Sequence, residues 1–180
     1  FDGRCKNMNV GSRKQWESQV ETIYMIRPTH LNSAGRLFGG VLMQWIDEAA
    51  GLVAKRHSRR NVTTASVENL QFLKGAYQGD TVIIKGKLTY VGRTSMEVEV
   101  KTYKEDINRK SELINQAYFT MVALDENDRP TPVPRLDLQS EEQKAEWKRA
   151  EIRRNMRIKL KEEIEDSKVK KVTNTLAFSG

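Results

Sequence analysis

Gly39-Gly-Val-Leu-Met-Gln-Trp-Ile-Asp-Glu-Ala-Ala-Gly-Leu-Val-Ala-Lys-Arg-His57 is the stretch on which the fold turns. Val41, Leu42, Trp45, Ile46, Ala49, Ala50, Leu52 and Val53 recur at helical spacing with few polar interruptions, which predicts a helix buried around most of its circumference. Upstream, VETIYMI (residues 20–26) is rich in β-branched and aromatic residues and stops at Arg27-Pro28, as a strand does. Downstream, VTTASVENLQFL, a Gly79-Asp80 turn, TVIIKGKLTYV, a Gly92-Arg93 turn and SMEVEVKTYKE alternate in the manner of three antiparallel strands joined by short turns. INQAYFTMVALD adds another strand before the turn-rich DENDRPTPVP. The order is α+β: an antiparallel sheet of about five strands whose exposed apolar face only the Gly39–His57 helix can cover, so the strands should wrap around it.

The 180 residues allow one domain with a buried core and no second large one. Residues 1–14 are polar and aperiodic, the pattern of a flexible leader. Residues 136–180 are read as a charged C-terminal helix and tail. From Ser140 to Lys171 there is no Gly or Pro, and eleven Lys or Arg are interleaved with eight Asp or Glu. Its apolar positions, Trp147, Ile152, Met156, Ile158, Leu160 and Ile164, form only a thin stripe, which predicts a solvated helix. The net charge of +7 favours anionic partners without choosing among them. Cys5 is the single cysteine and has no internal disulfide partner; with no secretory-type apolar stretch, the expected setting is reducing and cytoplasmic. No apolar run approaches the length needed to enter and cross a bilayer.

Two features carry chemistry. Gly39-Gly40 opens the buried helix, where the first amides lack internal partners and the positive end of the dipole lies behind them, an arrangement that stabilises a developing oxyanion. Close packing of loop on helix is the plainer use of such glycines. Asp47 sits among apolar neighbours, Ile46 and Ala49, so its carboxylate should be paired, desolvated for a purpose, or at the mouth of a cavity; solvent exposure or pairing with Lys55 or Arg56 is the plainer alternative. Gly39 and Asp47 are eight residues apart, about 12 Å along a helix, so they cannot serve one carbonyl within one chain. If both act on it, the amides come from one subunit and the carboxylate from a two-fold partner whose helix runs in the opposite sense.

Asn32 followed by LFGG, then LMQWIDEAA, VTTASVENLQFLK, the Gly-Asp turn and VGRTSMEVEVKTY together resemble the acyl-CoA hydrolase branch of the hot dog thioesterases, over roughly residues 15–135. The resemblance implies a hot dog fold, an acyl-CoA substrate split by water into a carboxylic acid and free CoA, and no metal or redox cofactor. It implies homodimers with sites at the interface, assembled further into hexamers as trimers of dimers. It implies Asp47 as the catalytic carboxylate, as general base or nucleophile, and Asn32 as the residue positioning water or carbonyl. Thr64 matches a threonine beside the acyl and pantetheine path. Arg93, Thr94 and Ser95 match the CoA-contacting turn, where a guanidinium, hydroxyls and turn amides suit phosphate oxygens. Lys74 stands where relatives carry a lysine before proline, but Gly75 replaces that proline.

Two other readings carry less weight. A nucleic-acid protein using the basic C-terminal helix would interleave aromatics with its cations, and that helix offers only Trp147. A non-catalytic acyl-CoA sensor of the same fold has no reason to keep both Asn32 and Asp47. His30 reads as a solvated loop residue and His57 as a cation favouring the negative end of the helix. Neither has metal-ligand spacing, and no Gly-x-Ser-x-Gly elbow or phosphate-binding glycine loop is present.

Overall fold

The computed structural model describes residues 11–177. Its central helix α1 (Gly39–Ser58) lies against a five-stranded antiparallel sheet of β2 (Val20–Met25), β3 (Asn61–Phe72), β4 (Thr81–Val91), β5 (Ser95–Glu105) and β6 (Ser111–Leu124). This is the hot dog architecture expected. Leu42, Trp45, Ile46 and Val53 of α1 are buried, and each contributes roughly 1.5–3 kcal/mol on leaving water. Opposite them are Val82, Ile84 and Leu88 of β4, Val98 and Val100 of β5, and Phe119 of β6, every second residue of each strand until the β4 ladder shifts register past Leu88. Helix and sheet approach closely at Gly86, where an added Cβ would lie 2.9 Å from Val53 Cγ2. At the other end of the helix, Trp45 stacks on Tyr24 of β2, ring centroids 4.3 Å apart.

The strand order is β2-β4-β5-β6-β3. Alternation had suggested that β3 and β4 form a hairpin closed by Gly79-Asp80; instead β3 pairs with β6 at the far edge and β4 with β2. Residues 73–80 cross from β3 at that edge to β4, one strand in from the other edge. They are pinned by Leu73 N–H to Ile114 O (2.9 Å), Leu37 N–H to Ala76 O (2.8 Å) and Ile26 N–H to Asp80 O (3.0 Å). Alternation reports which face a residue takes and carries no information about the neighbouring strand. Gly79, at φ +86°, makes the turn into β4 in a conformation that L side chains rarely adopt.

Residues 1–10 lie outside the described residues, but β1 (Ser12–Lys14) pairs in parallel with β7 (Arg135–Asp137). The first compact unit runs through Ser140. The second is α2 (Glu141–Ala177). Glu141 and Glu142 complement the dipole at its first turn, and Ile152, Met156, Leu160 and Ile164 are exposed along it. Among the described residues, no helix is long and apolar enough to cross a membrane.

Arg13 of β1 explains why that short strand is held. Its guanidinium donates to the carbonyls of His57 and of Arg56 (3.2 Å for the latter), which are orphan acceptors at the end of α1. The cation at this helix end is thus Arg13, and the expected role of His57 is corrected. His57 is fully buried, and its Nε2–H donates to Pro134 O at 2.9 Å. Loss of solvent lowers its pKa below the usual histidine value, with Arg13 adding to the effect and the Pro134 carbonyl opposing it. The buried ring is neutral.

A depressed histidine pKa means that the unfolded chain takes up a proton which the folded chain refuses. The stability so conferred is complete above about pH 6.5 and declines as pH falls below it. Urea unfolding at pH 7.5 and 5.5 should show a loss on the order of 1 kcal/mol larger for the wild type than for His57→Gln. Equal losses would assign the acid sensitivity to other groups.

Candidate active site

The loop before α1 is folded around one side chain. Asn32 Oδ1 accepts the N–H groups of Ala34 (2.9 Å) and Arg36 (3.1 Å), while Asn32 N–H donates to Arg36 O (2.8 Å). These two amide donors identify Oδ1 as the acceptor, leaving the Nδ2 hydrogens available on an exposed residue. The loop closes through the Leu31–Leu37 bridge and Phe38 N–H to His30 O (2.8 Å). His30 is held rather than solvated: its Nδ1 accepts Arg27 N–H (3.2 Å) and its ring stands edge-on to Trp45.

The first hydrogen bond of α1 is Leu42 N–H to Phe38 O, 3.1 Å, and no side chain caps the helix. The amides of Gly39, Gly40 and Val41 therefore precede the helical ladder at its positive end, as an oxyanion site requires. A Cβ at Gly40 would lie 2.5 Å from Cε1 of the exposed Phe38, whose ring would have to swing aside. Gly39 has Phe72 beside it, with a Cβ distance of 3.6 Å.

Two turns further along, Asp47 faces outward from the helix. Thr64 of β3 donates its hydroxyl to Asp47 Oδ1 at 2.7 Å, with Met121 Sδ 3.5 Å from the same hydroxyl. One carboxylate oxygen is thus oriented by Thr64. Lys55 and Arg56 do not pair with Asp47. Glu48 takes Gln44 Nε2 at 2.9 Å, along the same helix. Asp47 and Thr64 are the two predicted residues that the fold brings into contact. Gly39 and Gly40 stay about 10–12 Å from Asp47 along the helix axis.

The remaining candidates are dispersed. The Arg93–Ser95 turn is closed by Gly92 N–H to Ser95 O (2.7 Å) and anchored by Ala123 N–H to Thr94 O (3.0 Å) and Val133 N–H to Arg93 O (3.0 Å). Lys74 lies at the other end of the sheet, bonded to Glu112, whose carboxyl it holds below the usual range. Ser95 pairs with Val122, so the two groups are separated by most of the length of β6, roughly 30 Å. Within one chain they do not converge on a single phosphate. Sequence reading missed the exposed Phe38, Phe72, Leu73 and Tyr77, carried by the loops and the β3 end around the Gly39 terminus; uncovered aromatics were their only signal, and that is visible only in three dimensions. Among the described residues, no cluster of three or more His, Cys, Asp or Glu could hold a metal.

A model described as the thioesterase superfamily matches residues 34–110. An uncharacterized acyl-CoA thioester hydrolase of Bacillus subtilis is 42% identical over 128 residues, 71% of this chain and 74% of that protein. The cytosolic acyl coenzyme A thioester hydrolase of Rattus norvegicus is 35% identical over 71% of this chain, which spans 34% of that longer protein. Among solved structures, an apo-hexameric acyl-CoA thioesterase superposes with a TM-score of 0.80 at 34% identity, covering 83% of this chain and 97% of that one. The acyl-CoA hydrolase of Staphylococcus aureus, in complex with butyryl-CoA, CoA and CoA disulfide, gives 0.76 at 33% identity over 86% and 97%. Further structures of that enzyme carry single replacements by alanine of an Asn, an Asp and a Thr, spaced 15 and 17 residues apart.

The two halves of the Asn32 carboxamide are separable. Asn32→Asp keeps the acceptor for Ala34 and Arg36, so their amide hydrogen-exchange protection should persist, whereas Asn32→Ala should lose it, at a cost of about 1–2 kcal/mol locally. Protection surviving in the alanine variant would show that the loop is held by other bonds.

Proposed function

The chain belongs to the thioesterase superfamily as an acyl-CoA thioester hydrolase, and from that premise we propose that Asp47 of one subunit and the Asn32–Gly40 segment of a second form each active site. The observation that carries this reading is the 2.7 Å bond from Thr64 to Asp47 on an outward-facing carboxylate. Asn32, Asp47 and Thr64 are also 15 and 17 residues apart, the spacing of the three replaced residues in the S. aureus enzyme.

In the proposed reaction, Thr64 holds Oδ1 and the other Asp47 oxygen acts, either taking a proton from water or attacking the thioester carbonyl itself. The carbonyl oxygen becomes an oxyanion received by the Gly39 or Gly40 N–H, and Asn32 Nδ2 orients water or carbonyl. Collapse breaks the C–S bond: on the general-base route the proton taken from water passes to the departing thiolate, leaving acid and CoA, and on the nucleophile route the acyl group is first held on Asp47 as a mixed anhydride, which water cleaves to the acid, regenerating the carboxylate and supplying the thiol proton. These steps draw on no metal or redox cofactor. Arg93, Thr94 and Ser95 are assigned to CoA phosphate oxygens, and Lys74, at the opposite end of the sheet, reaches the same CoA only from another chain.

Sharing between chains is supported by three facts. Asp47, Asn32 and Gly40 are all exposed in a single chain, so nothing there excludes water. β3 is a 12-residue edge strand with one side unpaired, an incomplete arrangement for a strand of that length. Phe38, Phe72, Leu73 and Tyr77 leave apolar surface beside the helix start. A two-fold dimer with antiparallel α1 helices covers these and brings Gly39 toward the partner's carboxylate; three such dimers make the hexamer. The reading keeps the cytoplasmic setting expected from the single Cys5.

Free-thiol release across acyl-CoAs from acetyl to palmitoyl should reveal hydrolysis by the wild type. In Asp47→Asn, kcat should fall on the order of 10² to 10⁴-fold, and a loss below threefold rejects the assignment. Thr64→Val should lose roughly tenfold and Thr64→Ser much less, the difference reading out the hydroxyl. Tight acyl-CoA binding without turnover by the wild type would favour a sensor instead.

A further inference from the structure

The segment that carries Asn32, Gly39 and Gly40 leaves β2 just before Ile26. That residue is pinned to the turn before β4 by Ile26 N–H to Asp80 O and Gly79 N–H to Ile26 O, both 3.0 Å. Residues 27–29, which follow, are exposed. A chain leaving its scaffold in this way keeps one shape only if something returns it. Three contacts of a single residue do so. His30 Nδ1 accepts Arg27 N–H at 3.2 Å, His30 O accepts Phe38 N–H at 2.8 Å, and the His30 ring stands at 90° to Trp45 with centroids 5.0 Å apart.

The bond to Nδ1 is the one that depends on the side chain. Pro28–His30 is a single turn entered at Arg27, and His30 reaches back to the Arg27 amide as a Glu or Gln does at the start of a longer helix. Closing the turn fixes where residue 30 stands, and so where its carbonyl points. The carbonyl then holds Phe38 N–H. Phe38 in turn supplies the carbonyl for the first hydrogen bond of α1, from Leu42 N–H, so a fixed Phe38 aims the Gly39 and Gly40 amides that follow it. Inside the same closure the Leu31–Leu37 bridge frames the turn folded on Asn32. Trp45, on which the ring rests, is buried and stacked on Tyr24. It lies six residues after Gly39 and two before Asp47.

We propose that His30 is a positioning residue for the hydrolysis: its Nδ1, by closing the turn at Arg27, sets the place of Asn32 and of the Gly39 and Gly40 amides. This rests on the hydrolase reading. The role involves no proton transfer. His30 belongs to the chain that supplies Asn32, so its loss weakens reception of the oxyanion and leaves the Thr64–Asp47 pair of the other chain intact. The cost therefore falls on kcat rather than on KM. Misplacing such a segment by about 1 Å is enough to cost on the order of 10²-fold.

Two substitutions separate the nitrogen from the ring. His30→Phe keeps an aromatic ring beside Trp45 and removes the acceptor, whereas His30→Gln keeps an acceptor of suitable reach and removes the ring. Thiol release is measured with the acyl-CoA that the wild type turns over fastest. Hydrogen exchange over residues 27–42 is followed by mass spectrometry, and unfolding midpoints define conditions in which every variant is folded. In His30→Phe, kcat should fall about 10–100-fold with KM within about threefold. Exchange over residues 27–42 should be about tenfold faster, with β4 and β5 unchanged. In His30→Gln both readings should return to within about threefold of the wild type. A lower unfolding midpoint in His30→Phe with kcat per folded molecule unchanged overturns the proposal, as do equal losses of kcat in the two variants or unaltered exchange in His30→Phe. If the wild type releases no thiol from any acyl-CoA, the hydrolase reading itself falls, and the exchange pattern alone decides whether Nδ1 holds the segment.

Discussion

The contact between α1 and the sheet is the constraint on which the other features depend. At Gly86 the strand backbone comes near enough to the helix that a methyl group would collide with Val53, and at the other end Tyr24 lies flat on Trp45. Between these two fixed points the helix cannot rotate without lifting its apolar face into water. Its rotation in turn decides that Asp47 looks out beside Thr64, and that the unsatisfied amides of Gly39 and Gly40 emerge at the loop held by Asn32. A helix packed more loosely would leave the same residues in the chain with no defined relation to one another.

Much of this was legible in the residues, and the reasons are particular. The helix was readable because Leu42, Trp45, Ile46, Ala49 and Val53 obey a 3.6-residue period with only Gln44, Asp47 and Glu48 intervening before Lys55, and an interrupted period is itself information. The strands of the sheet were readable from alternation. Pairing was not: β3 and β4 look like a hairpin from their turn residues, and only the crossing segment at 73–80 reveals that they lie at different places in the sheet. Partnership of Asp47 with Thr64 was equally hidden. The two are 17 residues apart on different elements, and the pattern that predicts each element is silent on the angle between them.

Polar groups were the other source of surprise, because a sequence shows charge but not burial. His57 read as a cation and is a neutral buried donor. Arg13, in a segment expected to be loose, supplies the charge at the helix end instead. Glu99 alternates with the core residues Val98 and Val100 along β5, yet it is nearly inaccessible, with Lys101 at 3.2 Å, Gln116 at 2.9 Å and Tyr118 at 3.1 Å around it. In each case the long side chains of neighbouring strands or segments, not the local pattern, set the environment.

The hydrogen bond between Thr64 and Asp47 ties the helix to a strand that within one chain is laddered on one side only, and that strand slips register twice against β6, between Thr64 and Ser66 and between Glu68 and Gln71. Bulged, singly laddered strands yield to twist more readily than central ones. The orientation of the carboxylate therefore inherits the compliance of β3, so that the helix acts as a rigid mount and the strand as an adjusting screw. Substitutions that stiffen β3 or fill its bulges, although remote from Asp47 in sequence, then become a route by which the direction of its carboxylate shifts while the helix and its glycines stay the same.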